Sequence, residues 1–192
     1  MRVISGSAKS LRLKTPRGND TRPTTDRIKE TLFNIIASQI PGSIVLDLFA
    51  GSGGLGIEAL SRGAGFACFI ENNHDACKCI AENLNFTKMS DRAVLLRRDV
   101  MSGLHYLHTV SEIKDKCFDL IFIDPPYDGG YEEKIFAFLA EQKYIGENTL
   151  IILEAEAGIE PNCFLKNNFI IEKEKVYKTN KHLFIRKLFR KQ

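Results

Sequence analysis

The chain has 192 residues, enough for one α/β domain with a small appendage and short for two. Hydrophobic residues make up 44% and charged residues 27%, the balance of a globular protein with a substantial core. No apolar run approaches the roughly 20 residues of a membrane span, and the basic, Gly6- and Pro16-broken start lacks a signal-peptide pattern, so a cytoplasmic protein without membrane contact is expected. The net charge of +3 hides an asymmetry: residues 1–30 carry +5, residues 166–192 carry +7, and the stretch between them carries −9. Two basic ends around an acidic middle predict a polyanionic partner touched by the termini. The alternative is charge that merely solubilises the ends.

Residues 1–25 form a basic extension in which Val3-Ile4 and Leu11-Arg12-Leu13 predict a short hairpin around Gly6 to Ser10. Thr24-Thr25-Asp26, directly after Pro23, are capping residues for a helix whose apolar positions Ile28, Leu32, Ile35 and Ile36 make one stripe. Pro41-Gly42 ends it. Strand and helix then alternate. Ile44 to Phe49 reads as a strand, followed by a glycine-rich turn and a short helix through Leu55, Ala59 and Leu60. Phe66 to Ile70 is a second strand, residues 73–86 a helix with Ala76, Ile80 and Leu84 on one face, and Ala93 to Leu96 a third strand. Phe118 to Ile123 is a fourth strand, Ile135, Phe138 and Leu139 mark a helix, and Leu150 to Leu153 is a fifth strand. Near-continuous apolar strands separated by helices mean a parallel sheet covered on both faces. Phe169-Ile170-Ile171 and Leu183-Phe184-Ile185 lie too close together for a helical crossover and are expected as an antiparallel pair. The fold class is α/β, a doubly wound, mostly parallel sheet. No repeat or linker divides it, so 1–192 is one unit with a catalytic core over 26–192.

Five cysteines without paired spacing argue against a disulfide framework. Cys77 and Cys79, two apart on a helix, point in different directions and make poor co-ligands. His105 and His108 have no acidic or cysteine partners nearby in sequence and read as surface histidines, so no metal is expected.

Gly51-Ser52-Gly53-Gly54-Leu55-Gly56 satisfies G-x-G-x-x-G between the first strand and its helix, where glycines permit a sharp turn and close backbone approach to a ligand. Ser52 has no histidine placed to activate it as a nucleophile. Glu71 ends the second strand, where a carboxylate can accept from both hydroxyls of a nucleoside ribose. A nicotinamide cofactor satisfies this much too. Asp47, inside the first strand, would repel a pyrophosphate and suits the cationic methionine end of S-adenosylmethionine, unless it is a buried acid satisfied by loop N–H groups. Asp99, after the third strand, is placed to meet an adenine amino group or to serve as a surface-loop acid.

Asp124-Pro125-Pro126-Tyr127 follows the fourth strand, at the edge where open α/β sheets bind ligands. Two prolines remove two N–H donors and stiffen a segment rich in acceptors. An exocyclic base amine is a poor nucleophile because its lone pair is delocalised into the ring. Acceptance of both amine hydrogens, by the Asp124 carboxylate and the Pro125 carbonyl, localises that lone pair toward a sulfonium methyl. Tyr127 offers a ring for the base to stack on. The alternative is a proline-rich turn capped by an aspartate. Arg22, Thr24, Thr25 and Arg27 gather at a helix start as a phosphate site, or as caps on a solvated basic edge.

Leu46 to Gly53 together with Asp124 to Tyr127 resembles class I amino-methyltransferases. Arg22-Pro23-Thr24-Thr25-Asp26-Arg27, Glu30 to Asn34, Glu58 to Ala64 and Phe118 to Phe122 narrow the resemblance to bacterial 16S ribosomal RNA guanine-N2 methyltransferases of the RsmD type, across nearly the whole chain. That resemblance implies S-adenosyl-L-methionine held at Asp47, Phe49, Gly51, Ser52, Gly53, Glu71, Asn72, Asp99 and Asp124, with catalysis at Asp124, Pro125, Pro126 and Tyr127. It implies contacts to ribosomal RNA from Arg12, Lys14, Arg22, Thr24, Thr25 and Arg27, within the small subunit or its assembly intermediate, by a monomer. Ser7-Ala8-Lys9-Ser10 and Lys178 depart from the family pattern where RNA contact is expected. Competing readings are another RNA base amino-methyltransferase, a DNA adenine-N6 methyltransferase, for which no stretch remains as a sequence-reading domain, and a nicotinamide dehydrogenase, disfavoured by Asp47. A non-catalytic RNA-binding module is opposed by the intact Asp124 to Tyr127.

Overall fold

The computed structural model describes residues 1–16, 26–126, 130–158, 166 and 168–189. Its elements in chain order are α1 (Asp26–Ile35), β1 (Ile44–Leu48), α2 (Gly54–Ser61), β2 (Phe66–Glu71), α3 (His74–Phe86), β3 (Ala93–Arg97), α4 (Val100–Tyr106), β4 (Phe118–Ile123), α5 (Glu132–Ala140), β5 (Ile145–Glu156), β6 (Phe169–Val176) and β7 (Asn180–Lys187). The strands form one seven-stranded sheet in the order β3-β2-β1-β4-β5-β7-β6. β1 to β5 run parallel, and β7 pairs antiparallel with both β5 and β6. The last two strands are the expected antiparallel pair, with β7 inserted between β5 and β6.

Successive side chains of a buried strand point to opposite faces, so each strand feeds two cores. On one face Leu46, Leu48, Ile70, Ile121, Ile123 and Leu153 pack under α4 and α5. On the other, Val45, Phe69, Leu120, Phe122 and Ile152 pack under α1, α2 and α3, with Val3, Ala8 and Leu13 of the extension in the same cluster. Each such apolar side chain is worth about 1.5–3 kcal/mol when fully buried. The N-terminal residues are therefore part of that core. Their pairing is hairpin-like, with a single bridge between Arg2 and Arg12 and hydrogen bonds from Val3 N to Leu11 O and from Ser10 N to Val3 O.

Three expectations are corrected. The buried stripe of α1 is Lys29, Leu32 and Phe33, continued by Ile36, while Ile28 and Ile35 are only half-buried. The shift follows from Lys29, which is fully buried against Glu58 (3.2 Å) and donates to the Arg2 carbonyl. Glu58 also accepts from Ile4 N, Ser5 N and Arg62 Nε, at 2.7, 3.0 and 2.7 Å. Secondly, β5 begins at Ile145, five residues before its apolar run, because Thr149 Oγ1 accepts from Gly146 N and donates to Phe118 O across a register shift. Thirdly, α4 and two short 3₁₀ turns fill the stretch between β3 and β4, for which no element is predicted. No helix among the described residues is long and apolar enough to cross a membrane.

Candidate active site

β1 and β4 are neighbours, but the chain reaches β4 only after turning outward through β2 and β3, so the order reverses between them. Ligands of open α/β sheets bind in the crevice at the carboxyl ends of strands at such a reversal. Every strand end predicted to carry chemistry opens there: Phe49 and the glycine loop after β1, Glu71 at the end of β2, Asp99 after β3 and Asp124 after β4.

The loop turns sharply. Phe49 has φ 58°, a left-handed conformation costly for a bulky side chain and characteristic of functional turns. Gly53, at the start of α2, has φ 79°, which glycine adopts without a Cβ penalty. Gly56 serves close packing, because a Cβ there would sit 2.3 Å from the Phe69 ring. Beneath the loop, Asp47 is 1% exposed and its Oδ2 accepts from Gly56 N at 2.8 Å. Burial pushes its carboxyl up to about 8, against the Gly56 bond and assisted by the charge of Glu71. Asp47 thus has the loop N–H partner of the plainer reading, yet carries no counter-charge among its described partners.

Glu71 is the keystone of the rim. Its Oε2 accepts from Gly51 N at 2.7 Å, and its Oε1 accepts from Asn72 N and Asn73 N at 2.9 and 2.8 Å. Three of the roughly four acceptor positions of the carboxylate are therefore committed to backbone, so the expected pairing with two ribose hydroxyls is reduced to about one free position. Asn73 caps α3 by accepting from Asp75 N and Ala76 N. Asp99 caps α4, accepting from Ser102 N at 3.1 Å and Ser102 Oγ at 2.6 Å, and these bonds hold its carboxyl below the usual range.

Between these residues lies a cleft of about 170 Å³, with Phe49, Ile70, Val100, Met101 and Tyr131 as walls and Glu71, Asn72, Arg98 and Asp99 as its polar part. The Tyr131 ring meets Phe49 edge-on at 5.1 Å. Arg98, Met101 and Tyr131 are absent from the sequence expectation, since α4 and the start of α5 are needed to bring them in. Ser52 is 7% exposed and turned away from the cleft group, with its Oγ toward Met1 Sδ at 3.9 Å. Its carbonyl accepts from Asn83, whose amide also bonds both backbone groups of Lys14.

Asp124 is part-buried at the end of β4, followed by buried Pro125 and exposed Pro126; Tyr127 lies outside the described residues. Burial first, then the charges of Glu154 and Asp47, hold the Asp124 carboxyl well above the usual carboxylate range. Glu154 is a site residue that the sequence reading missed. Its strand neighbour is set by the register Ile123↔Leu153, which puts Asp124 and Glu154 side by side. Its Oε1 accepts from Asn180 Nδ2 at 2.6 Å and its Oε2 faces His182 Nε2 at 3.3 Å, while His182 Nδ1 faces the Tyr177 hydroxyl at 3.3 Å. The available signal was a carboxylate ending an apolar strand.

Among the expected RNA contacts, Arg12 and Lys14 line a second cleft of about 360 Å³ with Glu82, Asn83, Asn85 and Phe86, and Lys14 Nζ meets Glu82 at 2.7 Å. Arg27 is exposed on α1, and Arg22, Thr24 and Thr25 lie outside the described residues. His105 and His108 are exposed, each directing Nδ1 to a carbonyl of its own turn, Met101 O and His105 O.

Comparison with known proteins bears on the same residues. A family model described as Conserved hypothetical protein 95 matches residues 1–186. A candidate rRNA methyltransferase, YlbH, of Bacillus subtilis (strain 168) is 39% identical over 160 residues, covering 83% of this chain and 85% of that one. Ribosomal RNA small subunit methyltransferase D of Escherichia coli (strain K12) is 36% identical over 156 residues, covering 81% and 75%. The solved structure of a methyltransferase candidate, yhhF, from Escherichia coli superposes with a TM-score of 0.81 at 32% identity, covering 97% of each chain.

Proposed function

The chain belongs to the ribosomal RNA small subunit methyltransferase D family, and from that premise we propose that it methylates the exocyclic N2 amine of a guanine in small-subunit ribosomal RNA, using S-adenosylmethionine. What supports this reading is the register Leu48↔Ile123, which brings Asp124 after β4 next to Phe49 after β1, and Phe49 is a wall of the cleft that Glu71 lines.

The donor set fits the cofactor. A flat base suits the walls formed by Phe49, Ile70, Val100 and Met101, with Asn72 and Asp99 at its polar rim and Glu71 toward a ribose. Asp47, a buried acid held up to about 8, suits a cationic methionine end close by. When bound, the cofactor supplies an electrophilic methyl on sulfonium. Asp124 and the Pro125 carbonyl accept the amine hydrogens and turn the nitrogen lone pair out of conjugation. Pro126 stiffens that segment, and Tyr127 stacks the base. Preorganised acceptors of this sort act without reorganisation during the reaction.

The basic ends meet the phosphates. Arg12, Lys14, Arg22, Thr24, Thr25 and Arg27 form the N-terminal part of that footing, and the protein works as a monomer in the cytoplasm on the subunit or its assembly intermediate. The test is to incubate the protein with labelled S-adenosylmethionine and, separately, ribosomal RNA, DNA and small-subunit particles, and to identify the methylated nucleoside. Label in N2-methylguanosine from RNA or particles supports the reading. Label in N6-methyladenine of DNA refutes it.

A further inference from the structure

We propose that Glu154, fixed by Asn180 and His182, is a positioning residue that keeps a negative charge beside Asp124 so that Asp124 takes the proton released on methyl transfer. The proposal rests on the catalytic role proposed for Asp124. Its foundation is a row of polar groups across three adjacent strands. The pairs Ile123↔Leu153 and Glu154↔His182 place Asp124, just past the end of β4, side by side with Glu154 of β5 and His182 of β7. They project to the face that buries Phe122, Ile152 and Phe184, because residues two apart on a strand share a face.

The network has a direction. Glu154 receives Asn180 Nδ2 at 2.6 Å, and an amide nitrogen only donates. The carboxylate also faces His182 Nε2 at 3.3 Å, and that contact is favourable when Nε2 carries the hydrogen. His182 Nδ1 then accepts from the Tyr177 hydroxyl, 3.3 Å away, with the Tyr177 ring edge-on to the imidazole at 5.2 Å. The Asn180 amide donates to Glu154 in any state, and His182 joins it when Nε2 carries the hydrogen; both contacts favour the carboxylate form. A charged Glu154 next to Asp124 disfavours a second charge, and the pair retains one proton on Asp124 until the pH is raised. Among the described residues, the charged groups facing Asp124 are Asp47 from β1 and Glu154 from β5, with His182 of β7 and Tyr177 after β6 behind Glu154. Lys29 of α1 is committed to Glu58.

The proton balance follows. The amine lone pair forms the new C–N bond while the C–S electron pair returns to sulfur, leaving a thioether. The nitrogen, now positive, keeps the electron pair of one N–H bond, and that proton passes to the Asp124 carboxylate. A neighbouring anion makes Asp124 the stronger base for this step and sets the acid limb of the pH profile.

Two measurements test the proposal. In the ligand-free wild-type protein, ¹³C titration of side-chain carboxyls is expected to show Asp124 and Glu154 losing protons in two coupled steps, with Asp124 ionising last. Independent ionisation of Asp124 among the ordinary carboxylates overturns the proposal whether or not any variant folds. In single-turnover assays, Glu154→Gln is expected to move the acid limb of the rate to lower pH. At the foot of the wild-type limb the variant gains roughly tenfold relative to its own plateau, with S-adenosylhomocysteine affinity unchanged. Glu154→Asp keeps the charge and keeps the limb. An unmoved limb in folded Glu154→Gln rejects the role of Glu154 while leaving Asp124 as the acceptor, whereas normal turnover by Asp124→Ala removes the reading on which the proposal rests.

Discussion

Replacing Glu71 by Ala removes three backbone hydrogen bonds at once and unfastens Gly51 from the Asn72-Asn73 start of α3. The bonds to Asn72 and Asn73 are at the surface, where water takes over as acceptor, and the Gly51 bond is part-buried. The stability cost is therefore about 1–2 kcal/mol, below the sum of three charge-assisted bonds. Toward the cofactor, one acceptor position of Glu71 remains free, so the direct loss is one charge-assisted bond to a ribose hydroxyl, about 1.5–3 kcal/mol. That corresponds to roughly 10–150-fold weaker binding. Titration calorimetry with S-adenosylhomocysteine, on wild type and on Glu71→Ala verified as folded by thermal melting, reads the difference. A folded Glu71→Ala that binds within threefold of wild type refutes the role of Glu71. Tight binding of NAD with none of S-adenosylhomocysteine refutes the cofactor assignment altogether.

Lys29→Met removes the ammonium from buried Glu58, which keeps Arg62 and two backbone N–H donors, and should cost about 1–3 kcal/mol in chemical denaturation; a loss below about 0.5 kcal/mol rejects the idea that this pair fastens the extension to α2. Asn83→Ala orphans Ser52 O and both backbone groups of Lys14, and should cost about 1–3 kcal/mol and speed proteolysis ahead of residue 26. Asp47, whose folded-state carboxyl is raised to about 8 mainly by burial, binds a proton that the unfolded chain has lost above about pH 4. Its contribution is present at low pH and fades as pH rises toward 8, so ligand-free stability should fall over that window by at most about 1.4 kcal/mol per pH unit for this group. Melting curves of Asp47→Asn should show a shallower fall. Arg22→Ala with Arg27→Ala should flatten the log–log salt dependence of RNA affinity by about 2, one per lost phosphate contact, and an unchanged slope rejects docking by this segment.

Much of the fold was legible because strands buried on both faces leave an apolar signature that no neighbour is needed to interpret. Phe118 to Ile123 was read to the residue, and the glycine loop, Glu71 and Asp124 could be placed at strand ends from order alone. What failed shares a cause: it depends on partners distant in the chain. Lys29 looks like a solvent-facing residue until Glu58 is packed beside it. The first residues of β5 include exposed Glu147 and Asn148, which break the apolar run, and Thr149 must meet Phe118 to carry the strand through. α4 is only seven residues long and contains Gly103, where a Cβ would stand 2.6 Å from Ile70, so its helical signal is weak although its place is tightly defined. Glu154, Asn180 and His182 meet only because β7 enters the sheet between β5 and β6, a register that local pattern does not encode.

The central claim is that the main work of Asp124 is on the amine, whatever contact it also makes to the cofactor. Single-turnover methyl transfer to small-subunit ribosomal RNA or particles by Asp124→Ala, alongside S-adenosylhomocysteine affinity, tests it most directly. The account predicts a rate lowered on the order of 10²–10³-fold with affinity held within a few-fold. A variant that transfers methyl at a near-normal rate contradicts it.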